Sequence, residues 1–211
     1  MEKVTFLFKV KRRIYLTCIK IKELILDLYF AKSFLGGTYD SPFRKEGLYG
    51  TQSTDYRALK EIFKFIDLNG FKSFADIGCG KGRVIYYLLK KGFKGKIIGI
   101  DANKKFASPL KVRLQKRKNV DIIIEIVTDS VPSADVYYLF NPFDREHIRS
   151  FKKAAELAAK KEIIVIYCFD LYGDEFFDWE LLGQITVDRK YQKPYHISYF
   201  KFNPKENNWY E

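Results

Sequence analysis

Residues 74–83 read FADIGCGKGR, and this stretch decides the fold. A short apolar run carries one acidic residue, Asp76, glycines follow at three alternate positions, and a helix-like segment begins at Arg83. Glycine allows both a tight turn and the close approach of a ligand to the backbone. The first turn of the next helix presents free N–H groups to an anion. The stretch therefore predicts a strand, a ligand-binding turn and a helix.

Strands and helices alternate through the rest of the chain, which is typical of a parallel sheet. The last two predicted strands have no helix between them and predict an antiparallel edge. The predicted strands are 74–77, 96–100, 122–127, 136–140, 163–167, 179–187 and 196–202.

Three helices of this alternation have recognisable ends. One helix follows Ser53 or Thr54 as its cap, with Asp55 in its first turn. The helix after the glycines is predicted over 83–91 and is closed by glycine. A third is predicted to start with Ser108 as cap and Pro109 at its first helical position, where proline is favoured.

Two further acidic residues follow strands on the carboxyl side of the glycines. Asp101 ends the next strand, 21 residues after Gly80, where a carboxylate can accept both hydroxyls of a ribose. Asp129 follows the third strand, at a position that suits a hydrogen bond to an adenine amino group. The dinucleotide fingerprint would need glycine where the chain has Arg83, which argues against a nicotinamide cofactor.

The acid followed by G-x-G-x-G resembles motif I of the class I S-adenosylmethionine-dependent methyltransferases. The resemblance implies an α/β, Rossmann-like, seven-stranded and mostly parallel sheet whose last strand is antiparallel. It also implies S-adenosylmethionine as cofactor. We expect an N-terminal helix and loop over 1–46 and the methyltransferase domain over 47–211. The implied cofactor contacts in this part of the chain are Asp76, Gly78, Cys79, Gly80, Gly82, Asp101, Ala102, Asp129 and Ser130.

The fourth strand is followed by Phe140-Asn141-Pro142-Phe143. This segment resembles a shortened Asn-Pro-Pro-aromatic motif of amino-methylating enzymes. The resemblance implies a nitrogen acceptor, Asn141 and Phe143 as catalytic residues, and Asn141 as a cofactor contact as well. The alternative is that Asn141-Pro142 is only the turn that ends the strand.

Residues 48–56, LYGTQSTDY, are similar to the Tyr-Gly-Glu-Thr-Ser-x-Asp segment of the non-SET lysine methyltransferases of the "disruptor of telomeric silencing" type. Thr51 and Gln52 depart from that pattern, and the chain lacks room for the large helical part of those enzymes, so their histone substrate is not carried over. The alternative is an ordinary helix-capping loop. The residues implied as a lid over the methionine end of the cofactor are Tyr49, Gln52 and Thr54.

Residues 1–35 carry eight basic and three acidic side chains. Their apolar residues recur at spacings of three and four, which predicts a basic amphipathic helix. Such a helix either docks on its own domain or contacts an anionic membrane or nucleic acid. The stripe consists of Ile14, Cys18, Ile21, Ile25 and Leu28.

The composition of the chain limits which partners, metals and cellular locations are expected. The net charge of +12 reflects either a lysine-rich surface or an acidic partner. Three scattered cysteines and two histidines predict neither a disulfide framework nor a metal site, and His147 is either a surface residue or a base near the site. No apolar run reaches the roughly 18–20 residues of a membrane span, and no signal peptide is recognisable. We expect a cytoplasmic protein, peripheral to the membrane if residues 1–35 bind lipid.

Three functions fit these observations. The first is methyl transfer to a nitrogen of a protein lysine or small amine. The second is RNA methylation, which the positive charge favours although no RNA-binding module is recognisable. The third is a non-catalytic S-adenosylmethionine-binding accessory protein at a membrane surface. The sequence does not identify the acceptor, because this fold serves many substrates.

Overall fold

The computed structural model describes residues 6–127 and 130–204, and its centre is a seven-stranded sheet preceded by a long helix. The strands are β1 (Thr38–Tyr39), β2 (Thr51–Gln52), β3 (Ser73–Ile77), β4 (Lys96–Ile100), β5 (Val120–Ile123), β6 (Val136–Phe140), β7 (Ile163–Cys168), β8 (Glu180–Val187) and β9 (Tyr195–Phe202). The helices are α1 (Phe6–Ala31), α2 (Tyr56–Phe65), α3 (Arg83–Lys90), α4 (Lys104–Leu114) and α5 (Arg145–Ala158). Short 3₁₀ turns lie at Arg44–Glu46, Leu68–Gly70 and Gly173–Phe176.

The large sheet has the order β5-β4-β3-β6-β7-β9-β8. The first five strands of this order run parallel, whereas β9 is antiparallel to both β7 and β8. The predicted fold, a mostly parallel seven-stranded sheet with an antiparallel last strand, is therefore confirmed. The small β1–β2 pair joins residues on both sides of the boundary predicted between 46 and 47.

The order of the strands places a crevice beside β3. Chain order runs outward from β3 to β4 and β5 on one side, then returns to β6 on the other. At such a reversal the loops leaving the two neighbouring strands turn to opposite faces of the sheet and open a ligand crevice at their carboxyl ends. Apolar cores cover both faces of the sheet, one including residues of α2, α3 and α4 and the other residues of α5.

Two predicted helix starts are wrong. The cap of α2 is Asp55, whose side chain accepts the Ala58 N–H at 2.8 Å, and neither Ser53 nor Thr54 takes that role. The reason is that the Ser53 hydroxyl donates instead to the Leu35 carbonyl.

Helix α4 starts at Lys104, and the predicted cap at Ser108 is wrong. Asn103 caps the helix by accepting the Lys105 N–H, so the chain becomes helical directly after β4. Pro109 consequently lies inside the helix. It removes one backbone hydrogen bond there, a defect that the surrounding tertiary packing has to offset. The third strand is also shorter and begins earlier than predicted, at Val120–Ile123.

Helix α1 packs on α3, but not through the predicted stripe. The exposed fractions of Ile14 and Ile25 are 59% and 60%, and the other stripe residues are exposed as well. Of the alternatives left open for this helix, it docks on its own domain, but the predicted stripe does not make the contact. The helix docks through its opposite side, where Asp27 is fully buried and Leu26 and Phe30 pack against the core.

Within the described residues, no helix combines the length and the apolar character needed to cross a bilayer.

Candidate active site

The predicted glycine turn connects β3 to α3. Gly78 and Gly80 adopt left-handed φ angles of 77° and 52°, which glycine tolerates and other residues rarely adopt. A Cβ atom at Gly80 would lie 2.7 Å from Cγ2 of Thr51, and one at Gly78 would lie 3.0 Å from Cβ of Pro142. The turn is thus held against both the β2 strand and the segment after β6, with no room for a side chain.

Asp101 fixes this turn from the end of β4. One carboxylate oxygen accepts the Gly80 N–H and the other accepts the Asn103 N–H, each at 2.7 Å. The residue is 8% exposed, and burial raises the pKa of its carboxyl. Each oxygen retains a lone pair, so the carboxylate can still accept hydrogen bonds from a ligand.

Asp76 is the least satisfied polar side chain of the site. It is buried, and its Oδ2 atom has no hydrogen-bond partner among the described residues. Burial, and secondarily the neighbouring Asp101 carboxylate, raise the pKa of Asp76 to about 8. Such a carboxyl group either stays protonated or accepts hydrogen bonds from a bound ligand, because a buried polar atom without a hydrogen-bond partner destabilises the protein.

A cleft opens at these strand ends. Six of the predicted site residues line it: Tyr49, Gln52, Gly78, Asp101, Ala102 and Phe143. Lining residues that the sequence reasoning missed include Ser41, Phe43, Asn103, Glu125 and Pro142.

The other predicted site residues lie around the cleft rather than on its wall. Thr54 is buried and hydrogen-bonded through its hydroxyl to Tyr138. Cys79 is buried, and burial raises its thiol pKa well above the usual value, so it stays protonated. Gly82 caps α3, and Ser130 is exposed. The predicted adenine contact, Asp129, lies outside the described residues.

A buried ion-pair network ties α1 to the glycine turn, and the sequence analysis missed it. The Arg83 guanidinium donates from Nε and Nη2 to Asp27, both at 2.9 Å, and from Nη1 to Glu23 at 2.7 Å. Asp27 also accepts the N–H groups of Leu35 and Gly36. Two acids four residues apart on a basic helix were the available signal, but nothing local identified Arg83 as their partner.

Lys81, inside the glycine turn, makes a second set of contacts with the segment that follows α1. Its ammonium group donates to the Gly36 carbonyl at 3.0 Å and to the Tyr39 hydroxyl at 2.7 Å. It also lies 4.4 Å from the centre of the Tyr39 ring. The segment that follows α1 is therefore fixed to the turn from two sides.

Asn141 directly follows β6 and is strained. Its φ angle is 39°, a left-handed value that is uncommon outside glycine. Its Oδ1 atom accepts the Tyr167 hydroxyl at 2.9 Å, which fixes the orientation of the amide. The residue is almost buried, next to the cleft-lining Pro142. Phe143 packs in the core below, while its neighbour His147 pairs with Asp144 at 2.8 Å and is not on the cleft wall.

Tyr49 closes the other side of the cleft. Its backbone N–H donates to the Pro142 carbonyl at 2.8 Å, and its hydroxyl lies 2.7 Å from that of Tyr172. The hydrogen bond to Tyr172, aided by burial, raises the Tyr49 pKa to about 12. The hydroxyl is therefore neutral at physiological pH and serves as a hydrogen-bonding group.

Comparison with protein-family models identifies a methyltransferase domain. The model of a methyltransferase domain family matches residues 75–144, roughly a third of the chain, from β3 through the segment after β6. A search of curated proteins found no match.

Solved structures of similar fold are methyltransferases of several kinds. An S-adenosylmethionine-dependent O-methyltransferase from Thermotoga maritima matches with a TM-score of 0.54 at 13% identity, over 72% of this chain and 66% of that one. A methyltransferase from Aquifex aeolicus gives 0.52 at 18%, over 77% and 94%. A putative RNA methyltransferase from Pyrococcus horikoshii gives 0.50 at 17%, over 70% and 81%. At these identities the likeness concerns the fold.

Residues 75–144 match a methyltransferase domain, and the chain has the fold of S-adenosylmethionine-dependent methyltransferases, which together support an enzyme with S-adenosylmethionine as its cofactor. The site fits this cofactor on its own terms. The backbone of the glycine turn reaches the cleft at Gly78, Asp101 offers carboxylate oxygens at the cleft for a ribose, and the unpartnered Asp76 oxygen can accept a donor. Tyr49 and Gln52 stand on the opposite wall.

Replacing Asp76 by asparagine should change how stability depends on pH. The carboxyl ionises near pH 3.9 in the unfolded chain but near 8 in the folded protein. The folded state therefore holds a proton that the unfolded state lacks, so this stability is full below about pH 4 and is lost as the pH rises through 8. We expect the cofactor-free wild type to lose about 3–5 kcal/mol more than Asp76→Asn between about pH 4 and pH 9.

Urea unfolding at a series of pH values measures this difference. Asp121→Asn, at an exposed carboxylate on β5, is the matched control and should follow the wild type. Parallel pH profiles for the wild type and Asp76→Asn would contradict the prediction.

Proposed function

We propose that this methyltransferase transfers the methyl group to a nitrogen atom, in a protein lysine or a small amine. The observation that carries the proposal is Asn141, held in a strained conformation at the end of β6, with its amide oriented by Tyr167. Strain of this kind concentrates at functional sites, because the surrounding structure has to enforce it. The segment it begins also contacts the glycine turn through Pro142.

When bound, S-adenosylmethionine supplies a methyl group on a positively charged sulfur. A lysine or aliphatic amine is an ammonium at neutral pH and has to lose a proton to water before it has the lone pair for the attack. Once the amine is neutral, the contribution of this chain is to position it in line with the methyl group. Oδ1 of Asn141 has one lone pair left after it accepts the Tyr167 hydroxyl, and that lone pair can accept an N–H of the amine. Aromatic side chains at the cleft, Tyr49 and Phe143, can stabilise the positive charge that develops on nitrogen.

Two resemblances support a nitrogen acceptor. The Asn141-Pro142-Phe143 segment is similar to the motif of amino-methylating enzymes, and residues 48–56 are similar to a segment of the non-SET lysine methyltransferases. Structures of similar fold include proteins described as O-methyltransferase and as RNA methyltransferase, so the experiment has to distinguish the three acceptors.

The test begins with a methyl-labelled cofactor and a cell extract separated into protein, RNA and small molecules. We expect label in protein or in a small amine, in a form that survives alkaline hydrolysis, which releases methyl esters, and that mass spectrometry locates on nitrogen rather than on an ether oxygen. Label on oxygen, or in RNA, would contradict the proposal.

Asn141→Gly isolates the contribution of the side chain. Glycine adopts the left-handed conformation without strain, so the turn is preserved while the amide is removed. We expect kcat to fall by about 100-fold or more, the effect of removing one oriented polar group from a transition state, with cofactor Kd changed less than about fivefold. Asn69→Gly, at an exposed turn, is the control. An unchanged kcat would remove Asn141 from the mechanism.

A further inference from the structure

The outer face of α1 carries an apolar stripe that no described residue covers. It comprises Leu7, Ile14, Cys18, Ile21, Ile25 and Leu28, all exposed, and we call it the α1 stripe. The helix has 26 residues, which corresponds to about 39 Å at 1.5 Å per residue. The α1 stripe runs from Leu7 to Leu28, about 32 Å of that length. A row of exposed apolar side chains of this length is unusual on a protein surface in water and marks an interaction site.

The acidic and basic residues of α1 differ in their pairing. Its two acidic residues, Glu23 and Asp27, both turn inward and are paired with Arg83. Every other charged residue in the described part of the helix is basic and exposed, and no ion pair joins any of them to another described residue. These residues are Lys9, Lys11, Arg12, Arg13, Lys20 and Lys22.

We propose that the α1 stripe lies in the interface of an anionic lipid bilayer. Lys11, Arg13 and Lys22, which flank the stripe at about 100° per residue, would lie at the level of the headgroups. This arrangement is typical of a helix that lies flat on a membrane, whose affinity combines apolar burial with attraction to anionic lipid. The helix does not have to leave the domain, because the face that packs on α3 is opposite to the stripe.

Charge distinguishes the bilayer from other occupants. A second copy of the chain seated on the stripe would place basic side chains against basic side chains. A nucleic acid would satisfy the basic residues but would leave the aliphatic stripe facing phosphates and water. An anionic bilayer satisfies both the charge and the apolar surface.

Vesicle flotation of the full chain tests the proposal, and it measures no methyl transfer, so it is independent of the proposed function. We expect the protein to float with phosphatidylcholine vesicles that contain phosphatidylglycerol and not with phosphatidylcholine alone. Added salt should weaken the binding, because it screens the charges. A wild type that binds neither vesicle would overturn the proposal.

A triple substitution tests the stripe itself. Ile14→Glu/Ile21→Glu/Ile25→Glu should reduce partitioning by about 100-fold or more, since each buried isoleucine is worth on the order of tenfold. The three side chains are exposed in the protein, so the thermal unfolding temperature should stay within about 3 °C of the wild type. Leu157→Glu/Phe177→Glu, at side chains that are each 86% exposed and lie away from α1, is the control and should bind within about twofold of the wild type.

Two further outcomes would overturn the proposal. The first is that the triple variant floats as well as the wild type. The second is that the same substitutions dissociate a dimer in sedimentation, or abolish binding to RNA, while the partitioning into vesicles is unchanged. In those cases a second copy or a nucleic acid would be the occupant.

Discussion

Asp27→Asn is expected to lower the free energy of unfolding by about 3–5 kcal/mol, the cost of removing one partner from a buried ion pair. Asp27 is fully buried and accepts from Arg83, from the Tyr56 hydroxyl and from two backbone N–H groups. Asparagine has one oxygen and no charge, so the Arg83 guanidinium would keep only Glu23 as an ionic partner. Chemical denaturation at neutral pH measures the loss.

The same substitution should also weaken cofactor binding. Asp27 holds the N–H groups of Leu35 and Gly36, and the Gly36 carbonyl in turn accepts Lys81 of the glycine turn. Glu61→Gln is the matched control: it removes one partner of an exposed pair with Lys64, and such pairs contribute about 0–1 kcal/mol. If Asp27→Asn were as stable as Glu61→Gln, the network would not be what holds α1 on the domain.

Those parts of the fold that depend on neighbours in sequence were predictable. The glycine turn, the strand that precedes it and Asp101 follow from a pattern of fewer than about 30 residues, because a strand, a tight turn and a helix start impose local requirements. The strands at 96–100 and 136–140 have the predicted bounds for the same reason. Their apolar runs have both faces buried and therefore carry a continuous signal.

The docking of α1 was not predictable from its sequence. Apolar spacing identifies an amphipathic helix, but it does not say which face meets the core, and here the contact is made by Asp27, Leu26 and Phe30. Asp27 and Arg83 are 56 residues apart, so no local pattern links them. The predicted start of α4 at Ser108 and Pro109 was wrong because Asn103 caps the helix earlier, although proline is favoured in a first turn.

Some residues of the site were predictable from the sequence and others were not, and the difference has a physical cause. Residues that must be small or acidic for the turn to exist, Gly78, Gly80 and Asp101, stand out in the sequence. Asn103 and Glu125 line the cleft only because the ends of β4 and β5 are neighbours in the sheet. Tyr167 reaches Asn141 only because β7 pairs with β6. Such contacts are decided by strand order, which sequence spacing does not contain.

Asp101→Ala should reduce the affinity for S-adenosylmethionine and S-adenosylhomocysteine by at least about 100-fold. The carboxylate lies at the cleft and is the group that we expect to accept the ribose hydroxyls, and hydrogen bonds to a charged group contribute about 1.5–3 kcal/mol each. The substitution also releases the Gly80 and Asn103 N–H groups, so the turn loses its anchor on β4. Titration calorimetry measures the affinity, with NAD as the ligand that should give no signal.

A loss of affinity through misfolding has to be distinguished from the loss of a ligand contact. Asp101→Asn keeps the size of the side chain and one acceptor, so it should retain more affinity than alanine while weakening the ribose contact by about tenfold or more. Glu125→Gln changes a second carboxylate of the same cleft and should bind within about threefold of the wild type. If Asp101→Ala, confirmed as folded by its unfolding transition, bound S-adenosylmethionine as well as Glu125→Gln does, the ribose would not lie at Asp101. A wild type that bound NAD in preference would show that the glycine turn holds a pyrophosphate instead.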